Sequence, residues 1–192
     1  ISFTGTTNSN DATAKNLTLT GGTIDVTGNV GALHKLGDFE INSSGVVTFA
    51  NITAKSFDVS TTNSFTALNI NTSGADSTLA AGETGGDIVI EAGSISLTSV
   101  NASGGKSTAT GDHAGGAAGD ITLTANNITG SKTITINGGI SAKGGEGSGA
   151  GASGVAGIVD LALADDTIAG QVNLNSNSFL SSSLTVKGSA HS

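Results

Sequence analysis

Two short stretches of this sequence occur twice, and they decide the fold. Gly86-Asp-Ile-Val-Ile90 recurs as Gly119-Asp-Ile-Thr-Leu123, and Val100-Asn-Ala-Ser-Gly-Gly105 recurs as Ile140-Ser-Ala-Lys-Gly-Gly145. Recurrence at intervals of a few tens of residues is typical of a repeat architecture. Because a single unit of this kind cannot bury its apolar face alone, neighbouring units are expected to stack on one another.

Alternation of apolar and polar residues extends this pattern along the whole chain. In each run, isoleucine, valine, leucine or phenylalanine falls on one face, and threonine, aspartate, asparagine or serine falls on the other. Each run therefore predicts a strand with one buried and one solvated face. The predicted strands are 16–20, 23–27, 38–42, 45–49, 56–60, 67–71, 87–91, 94–98, 120–124, 133–137, 160–164, 171–175 and 183–187.

Composition separates the two all-β solutions, a sandwich and a solenoid. The 192 residues include six phenylalanines but no cysteine, methionine, tryptophan, tyrosine or proline. Small and β-branched side chains must then fill the interior, which favours a narrow and regular core. The lack of proline suits continuous strand ladders, and the density of threonine, serine, asparagine and glycine disfavours helices. Together with the internal repeats, these features predict an all-β chain folded as a parallel β-helix, that is, a β-solenoid.

Two long glycine-rich segments, 102–119 and 142–157, interrupt the strand pattern at equivalent places, and 80–86 resembles a shorter version. We expect them to be lateral loops that leave the same corner of successive coils, and their composition predicts flexible, solvated chain. Loops on a rigid scaffold often carry binding residues. The candidate exposed binding residues on these loops are Lys106, Asp112, His113, Lys143 and Glu146.

Longer stretches of the chain resemble a known family of repeats. The runs 16–31, 36–57 and 85–97, the last with the pattern Gly-Gly-Asp-Ile-x-Ile-x-Ala-Gly-Ser-Ile-Ser-Leu, resemble filamentous-haemagglutinin-like adhesins and autotransporter passengers, which are giant bacterial surface exoproteins. The resemblance covers nearly the whole chain. It implies a right-handed β-helix, export to the bacterial cell surface, and a structural or adhesive role as a filament or stalk rather than catalysis.

On this interpretation residues 1–192 form a single solenoid segment, an internal piece of a longer repeat protein. At about 20–25 residues per coil, the segment would extend about 40 Å along its axis. The expected partners are flanking coils of the same protein or end-to-end copies, with a glycan or a surface protein as the ligand class for adhesion.

Charge excludes several other partners. The formal net charge is −8, and the seven cationic side chains are all lysines. Nucleic acids and anionic membranes both require clustered positive charge, so neither is an expected partner. No apolar run approaches the length of a membrane span, so the segment is not expected to insert into a membrane.

The sequence predicts no enzyme, metal or cofactor site. His34, His113 and His191 lack partners at metal-ligand spacing, and the only adjacent acidic pair, Asp165-Asp166, lies in a predicted turn. Two alternatives remain open: a β-helix enzyme that degrades polysaccharides, and an ice-binding solenoid with outward threonines. The threonine pairs that suggest the second alternative are 18/20, 122/124 and 133/135.

Overall fold

A computed structural model describes residues 1–11, 13–127, 130, 132–164, 170–175 and 179–187 of the chain. The described residues form strands joined by turns and extended segments, and they contain no helix. The strands are β1 (Ser2–Phe3), β2 (Leu17–Gly21), β3 (Ile24–Val26), β4 (Leu36–Ser43), β5 (Val47–Thr61), β6 (Ser64–Asn71), β7 (Ile88–Ala92), β8 (Ser94–Asn101), β9 (Ile121–Ala125), β10 (Lys132–Ile136), β11 (Ile140–Ser141), β12 (Ile158–Leu163), β13 (Gly170–Leu174), β14 (Phe179–Leu180) and β15 (Ser183–Lys187).

The named strands pair in parallel along two main ladders. One ladder runs β1-β3-β5-β6-β8-β10-β13, and the other runs β2-β4-β5-β7-β9-β12-β15. In each turn the chain goes from the first ladder to the second and back again, so it winds as a stack of coils. The long strand β5 contributes its first half to one ladder and its second half to the other. This topology confirms the predicted all-β, parallel solenoid-like fold, and every predicted strand overlaps an observed one.

The coils are far less uniform in length than the sequence suggested. Val47 pairs with Phe65, 18 residues later, whereas Ile95 pairs with Ile134, 39 residues later. The expected 20–25 residues per coil was wrong for both: the first coil turns its corner within β5, whereas segment 102–120 lengthens the second. Seven strands in each ladder are separated by six spacings of about 4.8 Å, which gives an axial length of about 29 Å rather than 40 Å.

Inward-facing side chains form a continuous core along the solenoid axis. In the second ladder Ile41, Val59, Ile90, Leu123 and Leu161 pair in one column, and all five are fully buried. Phenylalanine rings pack against one another in part of the core: the ring centroids of Phe39 and Phe57 lie 5.3 Å apart, and those of Phe57 and Phe65 lie 5.8 Å apart. Burying each such side chain contributes about 1.5–3 kcal/mol, so stability is distributed along the stack. The alternation of apolar and polar residues therefore predicted the core correctly for these strands.

A third, shorter column of inward residues marks one corner of the coil. Val30 pairs with Ile52, Ile52 with Ile70, Ile70 with Val100, and Val100 with Ile140. Beyond this column each coil turns towards the second ladder. The length of that turn sets the length of the coil, and the glycine-rich segments lie in it.

Candidate functional site

Three successive coils carry an insertion at this corner. Segment 72–87 joins β6 to β7, segment 102–120 joins β8 to β9, and segment 142–157 joins β11 to β12. In the coil before them the corner is tight, because the inward Ile52 is followed within β5 by Ala54 of the second ladder. We call segments 72–87, 102–120 and 142–157 together the insertion layer.

Backbone hydrogen bonds connect the segments of the insertion layer at every third residue. The amides of Gly82, Gly85 and Ile88 donate to the carbonyl oxygens of Ala114, Ala117 and Asp120, over 2.8–3.0 Å. A repeat of three residues, with hydrogen bonds between separate extended stretches rather than along one stretch, is typical of polyproline-II helices. Each insertion therefore contributes an outgoing and a returning extended leg to an ordered layer.

Glycines allow these legs to approach one another closely. The amide of Gly116 donates to the carbonyl of Gly105, Gly145 donates to Gly116, and Gly154 donates to Gly145, each over 2.8 Å. A Cβ atom on Gly116 would lie 1.8 Å from the carbonyl oxygen of Glu83, so no larger residue fits there. The expectation that 102–119 and 142–157 are flexible was therefore wrong, although residues 110–112 and 149–150 at their tips are exposed to solvent as expected. Glycine serves here for close packing of backbones rather than for freedom of the chain.

Lysine and glutamate side chains meet on the outgoing legs of the second and third insertions. The Lys106 ammonium lies 3.1 Å from a carboxylate oxygen of Glu146, and that of Lys143 lies 3.6 Å from the other oxygen. The hydrogen bond from Lys106, together with the positive charges of Lys106 and Lys143, lowers the pKa of Glu146. Three of the five predicted binding residues therefore form one exposed cluster.

The other two predicted residues hold the tips of the insertions together. The carboxylate of Asp112 accepts a hydrogen bond from the amide of Ala150 over 2.8 Å, and the carbonyl of His113 accepts one from the amide of Ser148 over 2.8 Å. The Ser148 hydroxyl also donates to the carbonyl of Gly111. Asp112 and His113 therefore join the second insertion to the third, and sequence reasoning missed this pairing role.

Asp76 is a further residue of the cluster that sequence reasoning did not select. Its carboxylate accepts a hydrogen bond from the Lys106 amide over 2.7 Å, and the adjacent Ser77 forms a bridge with Ser107. Ser77 and Ser107 are 30 residues apart, the same separation as the paired Phe65 and Ile95. A self-alignment at that separation would have placed the first insertion in register with the second.

The other histidines and acidic residues considered in the sequence lie apart from the insertion layer or outside the described residues. Within the described ranges no group of three histidine, cysteine, aspartate or glutamate side chains lies close enough to hold a metal ion. The acidic pair Asp165-Asp166 and His191 lie outside the described residues. His34 is exposed on a turn before β4. In the described part of the chain no helix is long and apolar enough to cross a membrane.

Outward threonines form a regular column on the first ladder and not on the second. Thr48, Thr66, Ser96 and Thr135 follow one another across neighbouring strands. On the second ladder, by contrast, the pairing partners of the predicted pairs 18/20 and 122/124 include Glu40, Asn42, Val89 and Asp160. Only the first ladder therefore offers a hydroxyl column of the kind that the ice-binding alternative requires.

Comparison with known proteins adds no relative to this description. No family model, curated protein or solved structure matches the chain. The functional interpretation therefore depends on the geometry and chemistry of the solenoid itself.

Proposed function

We propose that this chain is a non-catalytic structural segment of a large bacterial surface fibre, exported from the cell and stacked with further coils of the same kind. The observation that supports this function best is the single core, which runs through parallel coils along one axis. In such a stack each coil contacts only its neighbours, so length can be added without any change in the packing. The function is mechanical extension, and the family resemblance adds adhesion as a second role.

Right-handed winding with lateral glycine-rich loops is part of this proposal. A connection between two parallel strands of one sheet is right-handed in about 98% of cases, because the twist of the strands favours that crossover. Every coil of this chain contains such connections. The insertions would then project from one side of a rod, which leaves the first ladder free as a continuous outer surface.

The first coil supplies the contact that the fibre role requires. Its strands β1 and β2 each pair on one side only within the described chain, with β3 and β4. Ile1 and Phe3 are 46% and 42% exposed, and an apolar groove opens between Phe3, Leu17 and the core residue Phe39. Unpaired strand edges beside apolar side chains favour strand addition. We propose that another parallel β coil covers this face and that, in the purified protein, a second copy supplies it.

Sedimentation at increasing protein concentration tests this contact. We expect reversible end-to-end association of the purified chain, weakened at least roughly tenfold by Phe3→Lys, since a charge cannot enter the apolar contact without a cost of a few kcal/mol. Leu79→Lys is the matched control, because Leu79 is 89% exposed on the first insertion and distant from the coil end. A monomer at all concentrations, or equal weakening by both variants, would contradict the proposed contact.

Adhesion through the exposed lysine–glutamate cluster is the second role in this proposal. Exposed ion pairs of this kind contribute only about 0–1 kcal/mol to stability. The double variant Lys106→Gln with Lys143→Gln should therefore keep the parent's melting temperature while it reduces binding to a glycan array or to cells. Lys187→Gln, which removes another exposed ion pair at Asp160, serves as the control. Unchanged adhesion in the double variant would leave the segment with the role of a spacer alone.

Two functions compete with this proposal. A polysaccharide-degrading β-helix enzyme would cleave polymer when the purified chain is incubated with it, and that result would overturn the non-catalytic assignment. The ice-binding alternative is favoured only by the column that contains Thr48, Thr66 and Thr135. Faceted ice crystals in the presence of the parent, but not of a Thr66→Lys variant, would establish it in place of adhesion.

A further inference from the structure

A polar groove lies where the insertion layer begins. The coil that contains β5 has a tight corner, whereas the next coil carries the insertion 72–87. The first insertion therefore protrudes next to that corner and forms a step in the surface. The groove at the foot of this step has a volume of about 390 Å³ and is lined by Lys35, Lys55 and residues 83–86. This volume lies at the lower end of the range of about 300–1,000 Å³ that is typical of small-ligand sites.

Three different coils bring the polar groups of the groove together. Lys35 precedes β4, Lys55 lies one coil further on within β5, and Glu83 lies on the returning leg of the first insertion. The Lys35 ammonium reaches across the intervening coil and donates to the carbonyl of Ser73, which fixes one wall of the groove. No hydrogen-bond or ion-pair partner of the Lys55 ammonium is found among the described residues, so this cation is free to bind a ligand.

The charges in the groove select the kind of ligand. Two of the seven lysines of a chain with net charge −8 line it, and with Glu83 they give the lining a formal charge of +1. Partial burial lowers the pKa of Lys35, with Glu83 acting in the opposite direction and Lys55 adding to the decrease. The negative charge of the rest of the chain disfavours a densely charged polyanion. A single monoanionic group matches the lining best.

We propose that this groove binds a sugar that carries one carboxylate, with the carboxylate between Lys35 and Lys55 and the sugar hydroxyls towards Glu83 and Thr84. Charge-assisted hydrogen bonds from ammonium groups are the strong contacts for a carboxylate. The carboxylate of Glu83 accepts hydrogen bonds from hydroxyl groups, and the Thr84 hydroxyl can donate or accept them. The inference does not depend on the fibre role, because none of these residues belongs to the proposed end contact or to the exposed cluster of Lys106, Lys143 and Glu146.

Titration with glucuronate, followed by two-dimensional amide NMR, tests the proposal. We expect saturable shifts confined to residues 35, 55 and 83–86, with no comparable shifts when glucose is added at the same concentration. Lys55→Gln should weaken glucuronate binding about tenfold, the loss expected for one hydrogen bond to a charged group. Lys187→Gln removes the same charge from an exposed site on the last described strand, and it should leave the affinity unchanged.

Several results would overturn this assignment. Equal affinity for glucose would show that the carboxylate is not recognised. Equal weakening of glucuronate binding by Lys55→Gln and Lys187→Gln would show that only the net charge of the protein matters, and not the groove. If sodium sulfate at matched ionic strength shifted the same amides with the same affinity, the site would hold a simple oxyanion rather than a sugar. Because each readout is local to the groove, none of these results bears on whether the coils associate end to end.

Discussion

Replacing Ile121 with lysine is expected to unfold the middle of the solenoid. Ile121 is fully buried and pairs on one side with Ile88 and on the other with Val159. The substitution removes a core side chain, which costs about 2–5 kcal/mol, and it also places a cation between the buried apolar side chains of Ile88 and Val159. We expect the free energy of unfolding to fall by more than about 4 kcal/mol, a size that is exceptional for one substitution. Chemical denaturation followed by circular dichroism measures the change.

The neighbouring residue provides the control. Thr122 is part of the same strand but faces outward, and it pairs with Val89 and Asp160. Thr122→Lys introduces the same charge beside an aspartate, so its effect on stability should lie within about 0.5 kcal/mol of the parent. Equal denaturation midpoints for Ile121→Lys and the parent would show that the assigned inward face of β9 is wrong.

The extent of unfolding in the Ile121 variant also reports on the architecture. Because each coil contacts only its neighbours, the loss should be largest in β7, β9 and β12. Amide exchange in β4 and β2, three and four strands away from β9 along the same ladder, should be affected least. Uniform loss of protection throughout the chain would instead indicate a single cooperative domain.

Alternation was sufficient to predict the strands, and the core of most of them, because both depend on a local period of two; in β15, however, Leu184 and Val186 are 41% and 50% exposed. Ile121 and Leu123 alternate with Thr122 in the sequence, and the same residues alternate between buried and partly exposed in the structure. Three short strands, β1, β11 and β14, were not predicted, because two residues are too few to show a period. Local pattern alone could not identify them, since only their pairing partners define them.

Coil length and the candidate sites depend on pairings between residues far apart in sequence. Nothing in the sequence near Lys35 or Lys55 indicates that both meet Glu83, because register across coils of unequal length brings them together. For the same reason Lys106 and Glu146 were selected separately as loop residues, and only the structure joins them. The net charge of the chain could be predicted from the sequence, but the meeting of charged side chains in the groove and in the Lys106–Glu146 cluster could not.

The glycine-rich insertions mark the clearest difference between sequence and structure. Glycine-rich composition alone favours a flexible chain. In segment 102–120, however, glycines at 105, 115, 116 and 119 face the backbones of neighbouring segments, and Gly104 faces the returning leg of its own segment. The same residue type therefore supports order once several glycine-rich segments lie side by side, because the missing side chains let backbone amides and carbonyls pair directly. That condition depends on stacking and does not appear in any one segment.

Replacing Gly116 with alanine should therefore disrupt the insertion layer. Gly116 is central: its amide donates to Gly105, and its carbonyl accepts from Gly145. A methyl group would lie 1.8 Å from the carbonyl oxygen of Glu83 and 2.4 Å from its carbon, so backbone rather than a flexible side chain would have to move. Overpacking of this kind costs about 1–3 kcal/mol, and the displaced hydrogen bonds add about 1 kcal/mol each. We expect a total loss of about 3 kcal/mol or more.

Hydrogen exchange distinguishes this effect from a general loss of stability. In the parent, the amides of Gly105, Gly116, Gly145 and Gly154 should exchange slowly, because each donates within the layer. In Gly116→Ala they should exchange at least roughly tenfold faster, since that factor corresponds to about 1.4 kcal/mol, while amides of β4 keep their protection. Gly22→Ala is the matched control, because a Cβ atom there meets nothing within 4 Å. Fast exchange of these four amides in the parent would show instead that the insertions are the flexible loops that composition predicts.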